Sequence, residues 1–180
     1  STLYGQSKKR AEELVCRWAE SGIGRCCLIL RPSVVYGTGN VANIYFMVDA
    51  IARGRFFLVS RNENVKSIVA VRNLCAAVTF LLQRMESGSA IYHVSDAQSY
   101  SVRELARMMA EILQVNWSGR SLPWSLILLA AIAGDLIGMV TGKPFVLNRQ
   151  RVTALLETSN FPPRKLCAAG FKHPQTTVEG

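Results

Sequence analysis

Stretches with helical spacing of apolar residues alternate along this chain with short apolar runs that end in turn-forming residues. This alternation restricts the fold more than any other feature. In residues 4–20 the apolar positions Ala11, Leu14, Val15 and Trp18 fall at intervals that keep them on one helical face, and Ser21-Gly22-Ile23-Gly24 supplies a stop. Residues 26–35 form a short apolar run closed by Gly37-Thr38-Gly39-Asn40, the pattern of a buried strand. A second helix is predicted over 43–52, ending at Gly54, and strand-like runs over 56–60 and 65–71 flank the polar turn Arg61-Asn62-Glu63-Asn64. A helix over 73–85 stops near Gly88, and a strand over 90–94 follows. Ser101-Val102-Arg103-Glu104 then has the form of a capping box, whose Ser and Glu side chains satisfy free amides at the start of a helix running to about Leu113. Helices alternating with strands in this way specify an α/β fold.

Composition narrows the partners. A chain of 180 residues that is 49% hydrophobic and 18% charged buries a core and is too apolar for a disordered tail. Its formal charge of +9 points to an anionic partner: a phosphate-bearing small molecule, a nucleic acid or an acidic membrane surface. The basic residues are scattered, with short clusters at Lys8-Lys9-Arg10 and Arg149-Gln150-Arg151 and no aromatic-interleaved signature, which argues against nucleic acid. Cys16, Cys26, Cys27, Cys75 and Cys167 lack metal-ligand spacing and mostly lie in apolar runs. They read as small buried hydrophobes and fit a reducing cytoplasm. His93 and His173 have no partners at ligand spacing either, so no metal site is expected.

Residues Trp124–Thr141 are open to a membrane reading, since they include eight Leu, Ile or Val residues. On an insertion scale each of these contributes about −0.3 to −0.6 kcal/mol, whereas the interior Asp135 costs about +2.5 to +3.5 kcal/mol. The segment is also at the short limit for a span. A buried or interface-packed helix is the preferred reading, with membrane contact as the alternative.

Tyr4 and Lys8 stand four apart in the first predicted helix, on one face and about one turn apart, so a single bound molecule can touch both. A free phenol is a poor base near neutral pH, and a neighbouring ammonium favours its phenolate form. The pair is a candidate general acid/base. The competing reading is a half-buried Tyr and a Lys on the solvated face.

The sequence that follows gives the pair a context. Tyr4-Gly5-Gln6-Ser7-Lys8, then Arg31-Pro32-Ser33-Val34-Val35-Tyr36-Gly37 at the end of the next strand, resembles the extended short-chain dehydrogenase/reductases, the NAD-dependent epimerase/dehydratase family. In that family YGxSK and RPxxVYGxG occur in this order and at about this separation. The resemblance runs through nearly the whole chain. Asn43-Ile44 and Gly54 bracket the next helix as in the sugar-nucleotide epimerases, and the segment from Lys66 to Leu74 corresponds to the family's Arg-Asp-x-x-His-Val-x-Asp-Leu. Ile91-Tyr92-His93-Val94 with the Ser-x-x-Glu-Leu helix start, and Ala169-Gly170-Phe171-Lys172-His173-Pro174 with Glu179-Gly180, complete the landmarks.

The resemblance implies the carboxy-terminal part of a Rossmann-like doubly wound parallel sheet plus a small, mostly helical substrate-binding lobe, with segments of the two interleaved over residues 1–180. It further implies that an amino-terminal nucleotide-binding half, with its glycine-rich loop, lies upstream of the catalytic pair, and that residues 1–180 alone bind cofactor weakly and are inactive. By the same resemblance Tyr4 moves the substrate hydroxyl proton and Lys8 holds the nicotinamide ribose of NAD or NADP. Pro32, Ser33 and Val35 line the nicotinamide side of the cleft, with strand-end packing as the alternative reading. Val34 stands where many sugar epimerases place an Asn on the substrate. Asn43 matches a position that contacts the nucleotide-sugar diphosphate, and a helix cap is its competing reading. Lys66 replaces an Arg that faces the same phosphates, keeping the charge but losing the bidentate fork, and a solvated edge-strand charge is its alternative. Arg149 and Arg151 are further candidates for phosphate contact, against a solvent-facing helix.

Departures from the family pattern bear on the substrate. The usual His and Asp of the His-Val-x-Asp segment are Ala70 and Asn73, and with Val34 they make a pocket unlike that of a standard galactose epimerase. The leading expectation is an NAD(P)-dependent epimerase, dehydratase or reductase of nucleoside-diphosphate sugars, cytoplasmic and homodimeric when full length. One alternative is a hydroxysteroid- or flavonoid-type dehydrogenase or reductase of an apolar substrate near a membrane. Another is a non-catalytic assembly subunit that retains the fold.

Overall fold

The computed structural model describes residues 3–59, 64–85, 87–142 and 157–180. In chain order its elements are α1 (Leu3–Glu20), β1 (Cys26–Pro32), β2 (Val34–Tyr36), α2 (Asn43–Ala52), β3 (Leu58–Val59), β4 (Val65–Lys66), β5 (Ile68–Ala70) and α3 (Val71–Leu82). Then follow β6 (Gly88–Val94), β7 (Tyr100–Ser101), α4 (Val102–Ile112), β8 (Ser121–Leu122), α5 (Trp124–Thr141) and α6 (Arg164–Ala168). The chain divides into two compact units, each assembled from separated segments.

The first unit comprises Ser1–Gly37, Ile68–Gln98 and Phe161–Gly180. Its framework is parallel: β1 runs beside β6 from Cys26 opposite Gly88 to Pro32 opposite Val94, and β2 runs beside β5. Helix α3 leads from β5 of one pair to β6 of the other. Val69, Ala77, Leu81, Val94, Leu166 and Phe171 form its buried core, with Leu28, Leu30 and Phe80 packed against them. The run 26–35, expected as one strand, is two. The break falls at Ser33, whose N–H donates to Val94 O at 2.9 Å, and beyond it the chain changes partner from β6 to β5. The helix expected over 73–85 is also displaced, to Val71–Leu82, because Ala70 leaves β5 in an extended conformation and the helix starts immediately after it.

The second unit comprises Thr38–Ser67 and Ser99–Asn160. Here the strands are two residues long: β3 pairs with β8 in parallel and β4 with β7 antiparallel. Helix α2 packs on α4 through Ile51, Ala106 and Ala110, and Phe56 and Trp117 close that core, with Trp117 Nε1 donating to Phe56 O at 3.0 Å. The expected capping box is present. Ser101 Oγ accepts from the Glu104 N–H at 3.2 Å, and Glu104 Oε2 accepts from the Ser101 N–H at 2.7 Å. The strand-like run expected over 56–60 contracts to β3, and residues 61–63 of the polar turn lie outside the described residues. Helix α5 has the expected bounds, and Ile127 and Ala131 pack on Val59 and Leu122.

The cysteines depart from expectation. Only Cys27 is buried; Cys16 is half-buried, and Cys26, Cys75 and Cys167 are exposed. Neighbouring residues of a strand face opposite sides, so an apolar run does not bury every member, and Cys26 beside Cys27 is the example.

Candidate active site

Helix α1 carries the proposed acid/base pair. Its helical spacing brings Lys8 Nζ to 5.6 Å from the centroid of the Tyr4 ring, and Ser7 Oγ donates to Tyr4 O at 2.8 Å. Tyr4 is 71% exposed. One turn beyond Lys8, Glu12 accepts a bidentate grip from Arg31: Nε reaches Oε1 at 3.0 Å, and Nη2 bonds Oε2. The Arg31 hydrogen bond holds the Glu12 carboxyl below the usual carboxylate range, against the opposing effect of burial. The pair ties α1 to the end of β1 that leads into Pro32 and Ser33, and motif reading alone had given neither residue a role.

Residues 32–35 straddle the break between β1 and β2. Pro32 is exposed, and Ser33, Val34 and Val35 are half-buried. Ser33 is distinctive because its Oγ is buried without a hydrogen-bond partner among the described residues. An orphaned buried hydroxyl is costly unless something else satisfies it. Val35 packs against the hydrophobic core, so part of its role is structural.

Directly after these residues the strand ends converge on a buried carboxylate. Asp96 accepts from Tyr36 OH at 2.8 Å, Ala70 N at 3.1 Å, Asn73 Nδ2 at 2.8 Å and Thr177 Oγ1 at 3.1 Å. Asn73 also exchanges bonds with the backbone of Gln175. This explains the departure at position 73: an Asp there would set a second carboxylate against Asp96, whereas the Asn amide donates to it. Gly37, with φ +141°, closes the segment; a Cβ there would lie 2.7 Å from Val71 Cγ1. His93 lies on β6, stacked on Phe161, and His173 Nε2 bonds Ser95 O at 2.8 Å in the terminal segment. Among the described residues no cluster of metal-ligating side chains forms.

The remaining candidates lie in the second unit. Asn43 is exposed at the first position of α2, and the cap position is Ala42 with no side-chain cap bond, so the helix-cap reading of Asn43 does not hold. Lys66 lies on β4 and donates to Glu157 O. Burial pushes its ammonium below the usual lysine range, with the Glu157 charge opposing. It is therefore a half-buried, bonded lysine and not a freely solvated edge charge. Arg149 and Arg151 lie outside the described residues.

A family model, that of the 3-beta hydroxysteroid dehydrogenase/isomerase family, matches residues 1–123. The chain belongs to this family. Its place among the extended short-chain dehydrogenase/reductases, read from the motifs, agrees with its relatives. An N-acetyl-alpha-D-glucosaminyl-diphospho-ditrans,octacis-undecaprenol 4-epimerase of Escherichia coli O157:H7 is 29% identical over 178 residues, 98% of this chain and 54% of the relative. A UDP-glucose 4-epimerase of Vibrio cholerae is 26% identical over 179 residues, 98% of this chain and 51% of the relative. The chain thus spans about half the length of the curated relatives it matches. Among solved structures, the UDP-glucose 4-epimerase of Thermus thermophilus in complex with NAD superposes with a TM-score of 0.65 at 19% identity, over 98% of this chain and 50% of that one. That likeness establishes the Rossmann-like α/β fold.

Proposed function

We propose that this chain is the acid/base-bearing half of an NAD(P)-dependent epimerase, dehydratase or related oxidoreductase acting on a diphosphate-linked sugar. The observation that carries the reading is the Tyr4–Lys8 pair on α1, with the phenol exposed and the ammonium beside its ring. In this reading Tyr4 takes the proton from a sugar carbinol and returns it to the ketone, and the positive charge of Lys8 stabilises the phenolate that forms between these events. NAD or NADP, when bound, supplies the hydride chemistry. Lys8 holds its ribose, and Pro32, Ser33 and Val35 line its nicotinamide side; the orphaned Ser33 Oγ is a polar atom waiting for such a partner. Asn43, Lys66 and Arg151 serve the diphosphate, and Val34 faces the sugar. The nucleotide-binding half belongs to the part of the relatives' length that has no counterpart here, and the active species is the full-length homodimer.

A nucleoside diphosphate is the first carrier to test. A polyprenyl diphosphate is the second reading, supported by the whole-chain match to the E. coli relative whose name specifies an undecaprenol-linked substrate. In the full-length enzyme, Tyr4→Phe should lower turnover by about 10²–10⁴-fold while leaving NAD(P) binding unchanged. Unchanged turnover would remove Tyr4 from the chemistry. Parallel assays with sugars on each carrier decide between the two substrates.

A further inference from the structure

We propose that Glu12 and Arg31 are positioning residues for the candidate active site: their ion pair sets where the Tyr4 phenol stands relative to Pro32 and Ser33. The inference rests on the catalytic reading of Tyr4 given above. Along α1 every residue from Leu3 to Ala11 is exposed, and Glu12 is the first that is not; beyond it only Cys16 and Ala19 turn inward. These three recur at intervals of four and three residues, so they form one narrow stripe on the side of α1 that packs against β1 and β6. The first two and a half turns or so, which carry Tyr4 and Lys8, therefore project beyond the packed part of the helix within this chain. Glu12 is the inward anchor nearest to them.

Distance makes that anchor matter. Without it the next inward-facing residues are Cys16 and Ala19, which leaves Tyr4 at the end of a lever of about 18–22 Å. A tilt of about 5° on such a lever displaces Tyr4 by roughly 1.5–2 Å. A misplacement of about 1 Å in a reacting group costs up to about 100-fold in rate. The other side of the anchor is fixed by the sheet: Arg31 lies on β1 opposite His93 of β6, and two residues on, the Ser33 N–H donates to Val94 O at 2.9 Å. From there the guanidinium reaches both oxygens of Glu12, Nε to Oε1 and Nη2 to Oε2. Two parallel bonds from a planar fork restrain the roll of α1 as well as its distance, whereas an ammonium in the same place supplies the charge without the plane. A pair this open to solvent adds little to stability, so its effect falls on geometry. Lys8 tolerates a small tilt better than Tyr4, because a flexible four-carbon stem can follow its partner and a phenol ring cannot.

The test uses the full-length enzyme, assayed with UDP-glucose and with an undecaprenyl-diphosphate sugar and read on the carrier that the native enzyme turns over. Arg31→Lys and Glu12→Gln should each lower kcat by about 10–100-fold, with KM and NAD(P) affinity within about twofold of native and little change in denaturation midpoint. In a Tyr4→Phe background Arg31→Lys should add no further loss, since the group that it positions is already gone. If Tyr4→Phe is slow but both pair variants keep native kcat, the positioning role is overturned and the catalytic reading stands. The role is equally overturned if the losses of Arg31→Lys and Tyr4→Phe multiply, or if the pair variants change KM alone. A Tyr4→Phe enzyme as fast as the native one removes the catalytic reading itself, and the positioning role with it.

Discussion

Around Asp96 and along the outer face of α1, the same unit places its polar side chains in opposite surroundings. Asp96 is 2% exposed and accepts hydrogen bonds from Tyr36, Ala70, Asn73 and Thr177, groups drawn from segments far apart in sequence. Tyr4 is 71% exposed and belongs to a helix held by its own backbone bonds, by packing against β1 and β6, and by the Glu12–Arg31 pair. A buried carboxylate surrounded by donors fastens strand ends to the carboxy-terminal segment. An exposed phenol fastens nothing. The difference separates residues whose loss should destabilise the unit from residues whose loss should silence it while leaving it folded.

The sharpest way to break this contrast is to remove the carboxylate. Asp96→Ala removes the shared acceptor of four donors, of which Tyr36 and Asn73 keep a second acceptor, and should lower stability by about 3–5 kcal/mol, read as a shifted urea midpoint of the full-length protein. Tyr4→Phe in the same assay should leave the midpoint within about 0.5 kcal/mol. Equal midpoints for the two variants would end the distinction. A finer probe is Asn73→Asp, which restores the family's acid but faces it with Asp96. At neutral pH it should cost about 2–3 kcal/mol, because one donor is lost and two carboxylates then face each other in a buried space. A variant as stable as the native protein would mean that repulsion from Asp96 is not why Asn stands at 73.

The sequence made the helices legible where apolar spacing met a local start or stop signal, as over 43–52 before Gly54 and after the capping box at 101–104. It did not reveal the break at Ser33, since both sides of the break are apolar and only the change of partner from β6 to β5 produces it. The Tyr4–Lys8 pair was readable because both residues lie on one helix, four apart. The Asp96 network was not: its donors come from positions 36, 70, 73 and 177, and an Asp after an apolar strand looks locally like an ordinary turn residue. Arg31 was visible as a motif letter, but its hold on Glu12 depends on α1 folding back along β1.

That hold supplies the smallest of the tests, because it lies between the two extremes. The Glu12–Arg31 pair is well formed yet still partly open to solvent, and screened pairs of this kind are worth less than about 1 kcal/mol. The hydrogen bond from Arg31 keeps the folded Glu12 carboxyl below its usual value, so its contribution is fully present above the unfolded carboxylate pKa. The contribution is lost as pH falls through the depressed folded value. Glu12→Gln should therefore be slightly less stable than the native protein at neutral pH, and the two should converge only in acid below the usual carboxylate range, as the native carboxylate protonates. Denaturation midpoints of both proteins across that range measure the gap directly. A gap that widens in acid would reverse the sign of the linkage, and Arg31 would then have to act on α1 through packing of its stem and not through its charge.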